Sequence, residues 1–310
     1  MDIVFMGTPD FAVPTLKKLI EKYNVKAVFT QPDRPSGRGK KLSQSPVKQT
    51  ALSFGIKIYQ PEKLKSDINL INELNKINPD FIVVVAYGQI LTRQVLDIPQ
   101  YGCINLHASL LPKYRGAAPI NWCIIDGENE TGNTTMFMDE GVDTGDILLS
   151  STVKITEDMT AGELHDILME DGAELVVKTL EGVKNGTVVR KKQGETTTKY
   201  AKMLNKNIAR IDWNSNAEDI RNFIRGLNPW PVAYTIYEGK NMKIYSAEET
   251  GENSKGQPGL IVEASEKGIK VCCRDKIILV DTIQFPGKRT MKVGEYIRGN
   301  SIDEEKILGK

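Results

Sequence analysis

Residues 2–30 restrict the fold more than any other stretch. A short apolar run at 2–6 is stopped by Gly7, and Thr8-Pro9-Asp10 then supplies a helix start: a capping hydroxyl, a proline suited to the first turn and an early acid. Apolar residues at Phe11, Val13, Leu16, Leu19 and Ile20 follow with the helical period, and residues 25–30 return to an apolar strand. Strand, helix, strand in this order implies a parallel pair with a right-handed crossover, and hence an α/β sheet. A dinucleotide fingerprint needs three glycines spaced G-x-G-x-x-G, whereas this turn has Gly7 alone. The expectation is a Rossmann-like sheet that binds no dinucleotide.

Further along, residues 81–86 form a continuous run rich in β-branched residues, as a strand covered on both faces requires. Residues 92–96 read as a short helix, 161–183 as a long one, and 134–139 and 147–155 as strands. At 310 residues the chain exceeds the usual limit for one core, so two domains are expected. The polar, Lys- and Thr-rich stretch near 189–207 reads as the linker between a domain at 1–188 and another at 208–310. Beyond it come a helix at 217–227 and five short alternating runs separated by turns, which fit an OB-like β-barrel.

Composition excludes several classes. Hydrophobic residues make up 40% and charged residues 26%, ordinary values for a globular protein, and no apolar run approaches the roughly 18 residues of a membrane span. The first residues have no basic region ahead of their apolar run and read as a strand rather than a signal peptide, so a cytoplasmic location is expected. Cys103, Cys123, Cys272 and Cys273 have neither metal-site spacing nor a paired framework, and read as reduced core thiols. No metal is expected. A net charge of +1 gives no bulk attraction for polyanions, so any such partner needs a local basic patch. The densest one lies between Asp33 and Lys48, a Pro-, Gly- and Ser-rich loop with net charge +4 that includes Arg34, Arg38, Lys40 and Lys41. By composition alone this is either a solvated surface loop or a nucleic-acid contact.

Chemistry concentrates in residues 102–122. The stretch starts as a strand with Asn105 and His107 at alternating positions, so a pleated backbone aims both side chains at one face. Ser109-Leu110-Leu111-Pro112 is an apolar turn that cannot continue a regular ladder, and a helix follows Gly116. Asp143 lies in a glycine-flanked loop after the next strand, expected beside His107 at the carboxyl ends of the strands. His165, the only other histidine, reads as structural.

These two motifs resemble the signature of the folate-dependent formyltransferases, N-x-H-x-S-L-L-P followed by R-G and then an aspartate loop. The resemblance is strongest over residues 1–148 and looser beyond, where Ile211-Asp212-Trp213 and Asn228-Pro229-Trp230-Pro231 stand out. It implies a formyltransferase domain with a parallel-rich sheet, a catalytic triad of Asn105, His107 and Asp143, and 10-formyltetrahydrofolate as donor. It also implies a folate cleft formed by Ser109, Leu110, Leu111, Pro112 and the loop at Tyr87. The basic loop resembles the one by which family members engage the acceptor stem of methionyl-tRNA. That implies transfer to the α-amino group of methionine on initiator tRNA, with Arg34, Arg38, Lys40 and Lys41 on the phosphates and further tRNA contact from the barrel.

In such a reaction an amine attacks the formyl carbon and negative charge develops on oxygen. Asn105 would donate to that oxygen, His107 would assist as a cationic donor or a proton shuttle, and Asp143 would orient the imidazole. Two rivals share part of the pattern. Formyltransferases acting on nucleotide-linked amino sugars carry the same N-x-H and S-L-L-P motifs, and the basic loop separates them. A folate- or RNA-binding module with a decayed site is the other, and the complete triad argues against it. With no long apolar surface segment, a monomer is expected.

Overall fold

The structure, a computed structural model, describes residues 1–36 and 41–310. In chain order it contains β1 (Asp2–Gly7), α1 (Val13–Lys22), β2 (Asn24–Phe29), β3 (Arg34–Ser36), β4 (Lys41–Ser43), α2 (Pro46–Ser53), β5 (Ile58–Tyr59) and α3 (Ile68–Ile77). Then come β6 (Phe81–Val85), α4 (Arg93–Leu96), β7 (Cys103–His107), α5 (Pro119–Ile125), β8 (Glu130–Phe137), β9 (Ile147–Lys154) and α6 (Ala161–Lys184). The remainder holds α7 (Ala217–Gly226), β10 (Tyr234–Tyr237), β11 (Lys240–Asn253), β12 (Ile261–Ser265), β13 (Gly268–Cys272), β14 (Lys276–Gln284), β15 (Met291–Lys292) and α8 (Val293–Ile297).

Two compact units divide the chain. The first gathers Met1–Ala117, Glu130–Val153 and His165–Ala201; the second gathers Ala118–Asn129, Lys154–Leu164 and Lys202–Lys310. In the first, a seven-stranded sheet runs in the order β5-β2-β1-β6-β7-β8-β9. The pairs among β5, β2, β1, β6 and β7 are parallel, whereas β8 lies antiparallel to β7. All five residues of β6 are buried, as their β-branched run requires. Its core joins Val4, Met6, Phe29, Ile82, Val84 and Cys103 with Leu74 of α3. All four cysteines are buried and in no disulfide.

The segment that follows β2 is more regular than its Pro, Gly and Ser content suggests. Arg34–Ser36 and Lys41–Ser43 pair as an antiparallel hairpin, and α2 begins at Pro46 with Ser45 Oγ accepting from Lys48 N–H at 3.1 Å. Hairpin pairing satisfies backbone groups without any apolar face, so hydrophobic periodicity does not report it.

The second unit is an antiparallel six-stranded sheet, ordered β10-β11-β14-β13-β12 with β15 on β14. Residues 305–309 bond to both of its edges: Glu305 N–H to Ile261 O and Leu308 N–H to Gly259 O near β12, and Gly309 N–H to Ile236 O on β10. The tail thereby covers two edges that would otherwise present unpaired backbone groups. Ile220 and Ile224 of α7 join Ile244, Val271 and Val280 in the core. The same helix packs on α5, contributed from the middle of the chain: Asn121 Nδ2 donates to Gly226 O at 2.8 Å, and a Cβ at Gly226 would meet the Ile125 side chain at 2.6 Å. Among the described residues no helix is long and apolar enough to cross a membrane.

Candidate active site

Strand β7 is buried along its whole length, and it holds Asn105 and His107 on one face at 9% and 6% exposure. His107 Nε2 lies 2.9 Å from the carbonyl oxygen of Tyr114. A carbonyl only accepts, so Nε2 carries the hydrogen and Nδ1 is left to take or give a proton. Nδ1 faces Asp143 Oδ1 at 3.6 Å, with the Asp143 side chain 15% exposed. The other Asp143 oxygen accepts the Gly116 N–H at 2.9 Å. Beside this pair, the Asn105 amide has no hydrogen-bond partner among the described residues. Its atoms are not fully enclosed, so the amide is open to a ligand.

The route of Asp143 to His107 differs from the expected one. Because β8 is antiparallel to β7, Phe137 pairs with Ile104 and Met138 N–H bonds to Cys103 O, so the loop begins at the amino end of β7. It folds back over the sheet to bring Asp143 to His107, with Asp143 at φ 55° and Gly145 tucked so close to Phe137 O that a Cβ would sit 1.7 Å away. The loop thus leaves from the amino end of β7 and brings Asp143 beside His107, the last residue of that strand.

The S-L-L-P turn is tied down by hydrogen bonds to Lys113 and to Thr134 of β8. Ser109 is fully buried, its Oγ donates to Lys113 O at 2.6 Å, and its carbonyl accepts from Thr134 Oγ1 at 2.6 Å. Leu111 N–H donates to Thr134 Oγ1 at 3.1 Å and its side chain is 7% exposed, while Leu110 and Pro112 are half-buried. The Tyr87 ring is 1% exposed within the core, where burial pushes its hydroxyl well above the usual phenol range. Only its backbone is turned to the loops, its carbonyl accepting from Thr8 Oγ1 and Gln31 Nε2. Burial pushes the Cys103 thiol up to about 12, which leaves it protonated and no nucleophile.

At the basic segment, Arg34 is exposed on β3, while Arg38 and Lys40 lie outside the described residues and Lys41 is described by its backbone in β4. Lys48 is paired: its Nζ donates to Asp33 Oδ2 at 2.6 Å, and Gln60 Nε2 donates to Asp33 Oδ1 at 2.8 Å. These two contacts, Lys48 first, hold the Asp33 carboxyl below its ordinary range. Elsewhere His165 Nδ1 lies 3.0 Å from Asp166 Oδ1 and its ring packs edge-on with Phe11. Among the described residues no group of three His, Cys, Asp or Glu is placed to hold a metal.

One contributor carried no local motif. Gln193, in the polar stretch near 189–207, donates from Nε2 to Asp143 O at 3.0 Å and to Gly145 O at 2.7 Å. A glutamine in a run of Lys and Thr has no sequence signal for such a contact.

The Formyl transferase family model matches residues 1–180, and the Formyl transferase C-terminal domain model matches residues 203–301. The methionyl-tRNA formyltransferase of Clostridium tetani is 60% identical over 99% of this chain and 99% of its own, and that of Clostridium beijerinckii 58% identical over 99% and 100%. The Clostridioides difficile methionyl-tRNA formyltransferase is 51% identical over the full length of both chains. Among solved structures, the sugar 3N-formyl transferase WlaRD superposes with a TM-score of 0.68 at 21% identity over 93% of this chain and 99% of its own. HypX from Aquifex aeolicus, in complex with tetrahydrofolic acid, gives 0.60 at 16% identity over 98% and 50%. These two share the fold. On its sequence, this chain belongs to the formyl transferase family, within the group of methionyl-tRNA formyltransferases.

Proposed function

We propose that this enzyme transfers the formyl group of 10-formyltetrahydrofolate to the α-amino group of methionine on initiator tRNA, with Asn105, His107 and Asp143 as its catalytic residues. The observation that carries the chemical assignment is the open Asn105 amide, nearly buried and sharing the face of β7 with His107. The folate supplies the formyl carbon. Asn105 donates its N–H to the formyl oxygen as negative charge develops there, a contribution that grows toward the transition state. His107 holds or moves a proton at Nδ1, since Nε2 is committed to Tyr114 O. Asp143 steadies the charge that a second proton places on the imidazole, and its grip on Gly116 N–H fixes the turn that follows the apolar loop.

The residues fit this donor. The turn Ser109, Leu110, Leu111 and Pro112 offers a partly apolar wall whose polar groups are internally satisfied, and the Tyr87 loop contributes backbone rather than side chain. Arg34, Arg38, Lys40 and Lys41 meet the phosphates of the acceptor stem, and the domain at 208–310 adds further tRNA contact. The enzyme acts as a monomer in the cytoplasm.

The test is formyl transfer from 10-formyltetrahydrofolate to charged initiator tRNA, with a nucleotide-linked amino sugar as rival acceptor and His107→Ala as control. Transfer to the tRNA alone, lost in the variant, supports the reading. Transfer to the sugar alone overturns the acceptor, and an active His107→Ala enzyme overturns the site.

A further inference from the structure

Residues 191–201 form little regular structure, yet they are bonded to both halves of the site. Lys191 exchanges backbone hydrogen bonds with Ile147 at 2.9 and 2.8 Å, which fixes one end beside β9. Thr198 Oγ1 accepts from Tyr114 N–H at 2.7 Å, and Tyr114 is the residue whose carbonyl holds His107. Ala201 N–H donates to Arg115 O and Ala201 O accepts from Ala117 N–H, each at 2.7 Å. The segment is a strap laid across the turn at 114–117 and the loop that carries Asp143.

Gln193 lies two residues from the Lys191 end of this strap and is half-buried. Its Oε1 accepts from Arg115 Nε and Nη2 at 3.0 and 2.7 Å, while its Nε2 donates to Asp143 O and Gly145 O. The amide can face only one way, because a guanidinium has no acceptor and a carbonyl no donor. Arg115 precedes Gly116, whose N–H holds the Asp143 carboxylate, so the contacts close a ring through Arg115, Gln193, Asp143 and Gly116. Asp143 needs such support. Its φ of 55° lies in the left-handed region, which aspartate enters more readily than most residues but still at a cost that its surroundings must meet. Gln193 brackets that residue with one bond at 143 and one at 145.

We infer that Gln193 is a positioning residue for the reaction: it holds the Asp143 backbone so that the carboxylate stands opposite His107 Nδ1. This rests on the reading of Asp143 as catalytic. Gln193→Glu is the sharpest probe, being the same shape. It keeps an oxygen for Arg115 but places a second oxygen against two carbonyls, so the strap stays paired while the loop is pushed away.

The experiment is a double-mutant cycle of Gln193→Glu with Asp143→Asn, reading kcat and KM for charged tRNA and for 10-formyltetrahydrofolate. Alone, Gln193→Glu should lower kcat on the order of 10- to 100-fold, the scale of a small misplacement of a reacting group, with KM changed less than about threefold. On the Asp143→Asn background it should cost less than about threefold, because groups acting as one unit are not additive. A kcat within twofold of the parent, a loss confined to KM, or the same loss on both backgrounds overturns the inference. Full activity in Asp143→Asn alone would instead sink the underlying assignment of Asp143. If Gln193→Glu does not fold, Gln193→Ala in the same cycle, checked by thermal melting, gives the same decision.

Discussion

The site on β7 and the basic hairpin are both named by short motifs, but they are built in opposite ways. At the site the groups around His107 and Asp143 are held from more than one side. His107 is fixed by Tyr114 and faces Asp143, Asp143 is fixed by Gly116 and Gln193, and Tyr114 is fixed in turn by Thr198. The hairpin of β3 and β4 presents Arg34 to solvent, and its side-chain fastening is at the root, where Asp33 takes Lys48 and Gln60. The contrast follows from what each must recognise. A developing charge on one oxygen is stabilised only by donors already aimed at it, whereas a phosphate backbone attracts cations at a range of positions. Precision is needed at the first and charge density at the second.

The largest effects should come from the site. His107→Ala should lower kcat by about 10³ to 10⁴, and Asn105→Ala by about 10² to 10³, with KM for tRNA little changed in either. The two should differ in stability. Asn105 has no partner among the described residues, so its truncation orphans nothing and the melting temperature should hold or rise. His107→Ala removes the buried bond from Nε2 to the Tyr114 carbonyl and should melt lower. Steady-state kinetics together with thermal denaturation decide this, and an Asn105→Ala enzyme that loses stability but not kcat would erase the distinction between an aimed group and a packed one.

The same division explains what could be read from the sequence. Strand-helix-strand order and the fully apolar β6 were legible because burial on both faces leaves a run of Phe81-Ile82-Val83-Val84-Val85. Helix α6 was legible from its apolar period to within a residue of Lys184. The first half of β8, residues 130–133, was not, although the strand borders the site. Its buried residues Thr131 and Asn133 are each at 2% exposure or less, and Asn133 bonds to Leu168 O. Such polar residues do not register as an apolar strand. The reversal of β8, and with it the true path of the Asp143 loop, was hidden for the same reason. Gln193 acts through its side-chain amide on distant backbone carbonyls, and the tail at 305–309 through backbone bonds to distant residues, for which no local pattern exists.

Replacing Arg38, Lys40 and Lys41 together by alanine should act on the other side of the comparison. The expected result is a rise in KM for charged tRNA of about 10- to 100-fold at moderate salt, with kcat nearly kept and the KM for the folate unchanged. The slope of log affinity against log salt should fall by roughly 0.7 to 0.9 for each phosphate no longer neutralised. A fall in kcat larger than the change in KM would mean that the basic segment also shapes the site.

The smallest effect is expected at Lys48, and it separates placing from contacting. Lys48 is part of the same basic run, yet its charge is already paired with Asp33. Lys48→Met should therefore raise KM for tRNA only about two- to fivefold, the modest scale of an accessible ion pair, while leaving the salt slope at the parent value. The pH dependence follows from Asp33, whose carboxyl is held below the ordinary range by Lys48 and then Gln60. A depressed carboxylate contributes fully above its unfolded value near pH 3.9 and loses that contribution only as the pH falls through the lower folded value. Across pH 6 to 8 the ratio of variant to parent KM should stay flat. A salt slope reduced by the equivalent of one phosphate would show that Lys48 reaches the tRNA backbone itself, leaving Asp33 a transient partner and the root of the hairpin a part of its binding face.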